Sequence, residues 1–408
     1  MDARRRKRDL RIDFFRGLVL IFIFIDHVPD NVMSRLTLRN FGFSDAAEAF
    51  VLISGISAAL AYSRAFDSKG FNAGADKVAH RVIKLYFWQM LILAASAVLL
   101  YGSAWIFNYP DYVANIGLQD LAKAPLAAAG DAMVLRLQPN MLNILPLYIV
   151  LLLWFPVVFW TLKRSYVLAL AVSGAIYAAA NIYQVNLPST LLKEEGWLFN
   201  PFAWQLLLTI GAIAGDLLRR DAFPQSKWLL VLAMAYAGFA FLCAAPWTVI
   251  PWLQDARLIS TDFAGDMDKT YLSIWRLMHI VALGYIAFSL VPRQAAWLDG
   301  GAMRWIIRCG QNALEIFCLG TLLSFTGWIV LNEAGSGFIM QLAVNAAGIT
   351  VMGIAAWFLA HYRRRSADVS GSRRWQSQAS SSSYSTVPST RESTALVTHR
   401  PILSVSKR

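Results

Sequence analysis

The sequence predicts an all-α protein: a polytopic transmembrane helix bundle of about ten spans, with both termini in the cytoplasm. Three observations lead there. Of the 408 residues, 57% are hydrophobic and only 15% charged, and the mean hydropathy is +0.48, too apolar for a soluble domain. The apolar residues gather in ten runs of a length that crosses a hydrocarbon core of about 30 Å. Lys and Arg fall mostly in alternate connections: with the N-terminus inside, the cytoplasmic side carries 29 of the 37 and the outer side 8, the bias expected of cytoplasmic loops. The net charge of +12 reflects this asymmetry together with the head RRRKR and the tail RRRS, which suit anionic lipid headgroups. It does not argue for nucleic acid.

Taken in order, the first run, Phe14–Val28, is unusual because Arg16 lies near its inner end and Asp26 and His27 near its outer end. Its basic head imitates a secretory signal, but those polar residues and the lack of a small-x-small cleavage site predict a retained span. Ala46–Tyr62 follows, with the small-residue stretch Ser54-Gly55 and Ser57 that lets helices approach closely. Val82–Tyr101, Met141–Thr161, Tyr166–Tyr183, Phe202–Leu218, Trp228–Ala245, Tyr271–Val291, Leu314–Leu331 and Phe338–Tyr362 complete the set. The outer connections 102–140, 184–201 and 246–270 are long enough to cover an outward-facing cavity. Residues 1–362 form an integral membrane domain, and 363–408 a basic, Ser-rich cytoplasmic tail expected to be disordered. Cys243, Cys309 and Cys318 have no paired spacing, so neither a disulfide framework nor a metal site is expected.

An ionisable side chain inside a span costs roughly 2.5–3.5 kcal/mol near the bilayer centre, and it marks a functional path by default. Sorted by depth, these residues form two layers. The outer layer holds Asp26, His27, Asp45, Glu48, Arg276 and His279; the inner holds Arg16, His80, Arg81, Lys84, Gln311, Asn312 and Glu315. Arg16 and His27 are eleven residues apart, about three turns, so they share a face some ~16 Å apart along the axis. His27 is therefore a candidate catalytic base, set against the alternative of a buried histidine bonded to a carbonyl. Arg276 and His279, at i and i+3, share a face at the same depth. Glu48 is placed to orient His27, to pair with Arg276, or simply to face water at the membrane edge. Arg81 and Lys84, one turn apart at the inner start of the third span, have the chemistry of phosphate donors, although inside anchoring alone also puts basic residues there.

In order along the chain, RIDFFRGLVLIFIFIDH, DAAEAFVLISGIS, PNMLNILPLYIVLLLWFP, FNPFAWQLLLTIGAIAG, WRLMHIVALGY and GQNALEIFCLG resemble the OpgC-type membrane acyltransferases, relatives of the acyltransferase-3 superfamily. The resemblance covers most of the chain from Arg11 to about Leu319. It implies ten spans in a bacterial inner membrane and transfer of an acyl group, typically succinyl, from a cytosolic acyl-CoA to periplasmic glucans. The superfamily's Arg and His in the first helix match Arg16 and His27. Its basic pair at the start of the third helix matches Arg81 and Lys84, with Lys where Arg is commoner, and its Ser-Gly motif matches Ser54-Gly55. Glu48, Arg276, His279 and Asn312 are carried as site-lining positions.

The expected mechanism has no bound cofactor. Acyl-CoA, the donor substrate, docks on Arg81 and Lys84 with its thioester arm passing Arg16. His27 then takes a proton from a glycan hydroxyl or carries the acyl group itself. Glu48 is the expected orienting carboxylate, and Arg276 or Asn312 the stabiliser of developing negative charge. The alternative is a transporter or flippase that uses the same charges as a substrate path; the absence of an internal repeat weighs against it.

Overall fold

The computed structural model describes residues 8–244 and 267–383, and among these every regular element is helical. The first helix, α1 (Leu10–Asp26), starts where the Asp9 carboxylate accepts from the Arg11 backbone N–H. The second, α2 (Ala46–Lys69), starts in a capping box: Asp45 accepts from the Ala47 N–H at 2.8 Å, and Glu48 accepts from the Asp45 N–H at 2.9 Å. Such reciprocal capping satisfies donors that a helix start otherwise leaves bare. The chain turns at Gly70 (φ 86°) into α3 (Phe71–Phe107). Three short helices follow in the connection predicted to cover a cavity: α4 (Asp111–Ala114), α5 (Asp120–Lys123) and α6 (Pro125–Met133).

The remaining helices are α7 (Ile144–Arg164), α8 (Tyr166–Tyr183), α9 (Pro201–Arg219), α10 (Lys227–Ala244), α11 (Ile274–Leu290), α12 (Gly301–Gln311), α13 (Ala313–Ala334) and α14 (Phe338–Ser383). Eight helices among the described residues are long and apolar enough to cross a membrane: α2, α3, α7, α8, α9, α10, α13 and α14 over Phe338–Arg363. The other two predicted spans correspond to α1 and α11, at 17 residues each. Most of the connection 246–270 lies outside the described residues, as do the basic head through residue 7 and the tail from 384. The start of the tail, up to Ser383, continues α14 as helix.

The chain divides into two units, Met1–Phe358 and Leu359–Arg408; the first carries the bundle and its cavities, the second the end of α14. Within the first unit, α2, α7, α9 and α13 are mostly buried, whereas α3, α8, α10 and α14 expose most of their apolar length. Val98, Trp105, Val167 and Trp228 all present bare apolar side chains, which fits helices whose solvent on that side is lipid. Small residues set the closest crossings. A Cβ on Gly55 of α2 would stand 2.2 Å from the Leu208 carbonyl of α9, and one on Gly310 of α12 would stand 1.8 Å from the Asp13 carbonyl of α1. The predicted role of the Ser54-Gly55 stretch in close packing is thus met at Gly55, with α9 as its partner.

Candidate active site

Two cavities follow one another along α1 and α2 and meet at the start of α13. The larger, about 590 Å³, holds His27 and Asp26 from the end of α1, Asp45 from the start of α2, and Arg276 from α11. The smaller, about 250 Å³, holds Arg16 from the start of α1, Ser54, Ser57 and Tyr62 from α2, Arg81 from α3, and Tyr148 from α7. The shared face predicted for Arg16 and His27 therefore connects two chambers instead of lining one.

At the His27 chamber, the imidazole lines the cavity, and its Nδ1 is buried and without a hydrogen-bond partner. Beside it, the Asp26 carboxylate accepts from the Thr37 hydroxyl at 2.5 Å. Arg276 reaches Glu48 at 2.6 Å and Asp45 at 3.2 Å, while Lys269 reaches Asp45 at 2.5 Å. Burial works against the charged form of the Asp45 carboxyl, but Lys269, the bond with Glu48 and Arg276 together hold it well below the usual carboxylate range. Three cations, Arg39, Lys269 and Arg276, face two carboxylates across this cavity, and Glu48 adds a third from behind. The chamber is thus nearly neutral, its charges largely spent on one another.

The Arg16 chamber is arranged differently. Arg16 donates to the Gly310 carbonyl at 3.2 Å and to the Ser57 hydroxyl, both neutral acceptors. Its one carboxylate neighbour, Asp13, stands 3.7 Å away and already takes two short bonds from Arg8. Arg81 makes no hydrogen bond or ion pair among the described residues. The walls of this chamber therefore carry two arginines and no carboxylate.

Several predicted positions sit elsewhere. Glu48 is fully buried, and its oxygens go to Arg276 and the Asp45 N–H, so it makes the pairing with Arg276 and not the bond that would orient His27. Lys84 turns away from Arg81 to Glu315 of α13 at 3.0 Å and does not line the chamber. His279 lies behind the wall of its chamber, with Nδ1 accepting from the Ser44 N–H at 3.2 Å and lying 2.7 Å from the Ser44 hydroxyl. Asn312 joins α12 to α13, donating to the Arg308 carbonyl at 2.9 Å, and lines neither cavity; it is not placed to stabilise charge at His27.

Other wall residues went unpredicted. Asn143 precedes α7 without capping it and lines the His27 chamber. Lys269, Arg39 and Phe199 reach the chamber from connections, where polar or aromatic residues raise no alarm in a sequence. Ser57, a packing residue by its sequence context, bonds Arg16 instead, a role that only the burial of that arginine could suggest. Among the described residues, no three His, Cys, Asp or Glu side chains cluster so as to hold a metal ion.

The sequence model of the family described as "OpgC protein" matches residues 8–364. The chain belongs to the OpgC family. No curated protein and no solved structure matches it. The match includes every helix that contributes to either chamber. Membership in the OpgC family, together with the apolar helices, makes this a multi-pass membrane protein and implies an enzyme of transferase type, in a family pointing to membrane acyltransferases that modify glucans.

Proposed function

We propose that the chain is an O-acyltransferase of the bacterial inner membrane. It moves an acyl group, succinyl in the family's usual case, from cytosolic acyl-CoA to a hydroxyl of a periplasmic glucan or another glycan. The observation that carries this reading is the difference between the chambers. One has arginines with charge to spare; the other has an imidazole in a self-neutralised setting. With both termini inside, as the Lys and Arg distribution favours, the Arg16 chamber faces the cytosol, where a coenzyme A thioester would be found.

In this mechanism the donor's phosphates bind at Arg81, whose planar fork suits them, and the thioester arm extends past Arg16. The acceptor sugar enters the opposite chamber, where a neutral cage of paired charges suits an uncharged hydroxyl. Nε2 of His27 takes the hydroxyl proton as the sugar oxygen bonds to the acyl carbon and the carbon–sulfur bond breaks. The proton then returns to the coenzyme A thiolate, and the charges balance. A base so placed contributes typically 10²–10⁴-fold. A variant of the same chemistry passes the acyl group through His27 itself. Asn143 and Arg276, on the wall of the same chamber, are the groups positioned to meet negative charge on the acyl oxygen.

The test is turnover by purified protein supplied with acyl-CoA and a glucan, read as thiol release and as acylated glycan by mass spectrometry. His27→Ala should lose transfer by at least about 10² while the protein keeps its thermal stability. Full transfer without His27, or a wild-type protein that releases no thiol, overturns the reading; the latter outcome would return attention to a transport path.

A further inference from the structure

A single layer of apolar side chains separates the two chambers. On α2, Ala47 faces the His27 chamber and Phe50, one turn on, faces the Arg16 chamber. On α7 the divide falls between Ile144 and Leu145. On α13, Leu314 lines only the Arg16 chamber, while Phe317 lines both. Along α2 the step is one helical turn, about 5.4 Å; along α1 it is wider, from Arg16 to Ile23, and at Phe317 a single ring borders both chambers. Phe317 and Phe50 lie with ring centroids 6.1 Å apart, and Phe50 meets Tyr148 edge-on at 6.0 Å. No charged group lies in this layer, and both Phe rings are buried.

We infer that Phe317 is the gate between the chambers and sets which acyl groups cross. The inference rests on the acyltransferase reading, because only then must a thioester carbonyl in one chamber meet a nucleophile in the other. Two physical requirements converge on this residue. A membrane enzyme with a water-accessible cavity towards each face needs a dry barrier between them, or it leaks ions; an aromatic layer without polar atoms supplies one. The acyl carbon must also pass that barrier, and among the described residues the one ring that belongs to both walls is the ring whose rotation joins them. The gap left by a turned Phe317 is then the narrowest point on the acyl path, bounded by Phe50 and Leu145. It selects by bulk, in the way that a single methylene in an apolar pocket is worth roughly 10–200-fold in rate.

The test compares acetyl-, succinyl- and hexanoyl-CoA as donors, with and without glucan, for wild type, Phe317→Ala and Phe317→Leu. Removing the ring should raise the hexanoyl-to-acetyl ratio of transfer rates by about 10-fold or more. It should also raise thiol release without acceptor, as water replaces the sugar hydroxyl at the acyl carbon. Phe317→Leu, which keeps much of the volume and guards against a folding defect, should shift the ratio in the same direction by less. A general loss of packing would lower all three donors together and leave the ratio where it was. If wild type transfers and neither variant changes the ratio, the gate is overturned while the acyltransferase reading stands. If wild type transfers nothing, both fall.

Discussion

The His27 and Arg16 chambers both carry arginine but hold their charges in opposite ways. Around His27, Arg276 and Lys269 are taken up by Asp45 and Glu48. Around Arg16, the guanidinium leans on a carbonyl and a hydroxyl, and Arg81 has nothing opposite it. Ion pairs out of water are costly to form and still more costly to break halfway, so the first arrangement stiffens the protein. Unspent cations do the reverse: they leave attraction to be realised when a ligand arrives. One chamber has its electrostatics committed to structure, and the other has them reserved for binding.

Breaking the committed side should have the largest effect. Glu48→Ala leaves Arg276 with Asp45 as its one carboxylate partner and strips α2 of half its capping box, and loss of one member of a buried pair costs about 3–5 kcal/mol. Thermal unfolding in detergent should report it, with Arg276→Met in the same background recovering part of the loss because no half-paired guanidinium then remains. Next comes the reserved side. Arg81→Ala should raise the KM for acyl-CoA by about tenfold or more, as expected from losing hydrogen bonds to charged groups worth about 1.5–3 kcal/mol, with kcat and melting temperature little changed. A smaller effect distinguishes the chambers without mutation: salt well above 0.1 M, where the Debye length is about 10 Å, should raise the donor KM and leave the acceptor KM nearly constant. Smallest of all, Lys84→Ala removes an exposed pair with Glu315 worth less than about 1 kcal/mol, so its donor KM should stay within about threefold of wild type. A Lys84 effect equal to that of Arg81 would erase the distinction drawn between them.

What the sequence disclosed depended on contrast. His27 and Arg16 were legible because a charge inside an apolar run has no bland explanation as good as a cavity, and the structure places both on cavity walls. The span Tyr166–Tyr183 coincides with α8 because Ser165 caps it and polar residues follow it. By contrast α3 starts eleven residues before its predicted span, since hydropathy marks where lipid is favoured and not where the backbone stops being helical; GADKVAHR is polar but has no Pro to break the helix. The partner of Glu48 could not be chosen from spacing alone, because His27 and Arg276 come from other helices whose rotation the sequence does not define. Lys84 looked equivalent to Arg81, yet i and i+3 differ by about 60° around a helix, enough to aim one at the chamber and the other at Glu315. Phe317 and Phe50 were invisible for the reason opposite to His27: an apolar residue in an apolar span offers nothing to notice.

Asp45 joins these observations mechanically. One carboxylate caps the start of α2, takes the ammonium of Lys269 just ahead of α11, and takes the guanidinium of Arg276 within it. A hinge at this corner would have to release two cations and uncap a helix in one event. The rim on that side of the His27 chamber is therefore a fixed frame, and an incoming sugar must find its clearance away from the Asp45–Lys269 corner.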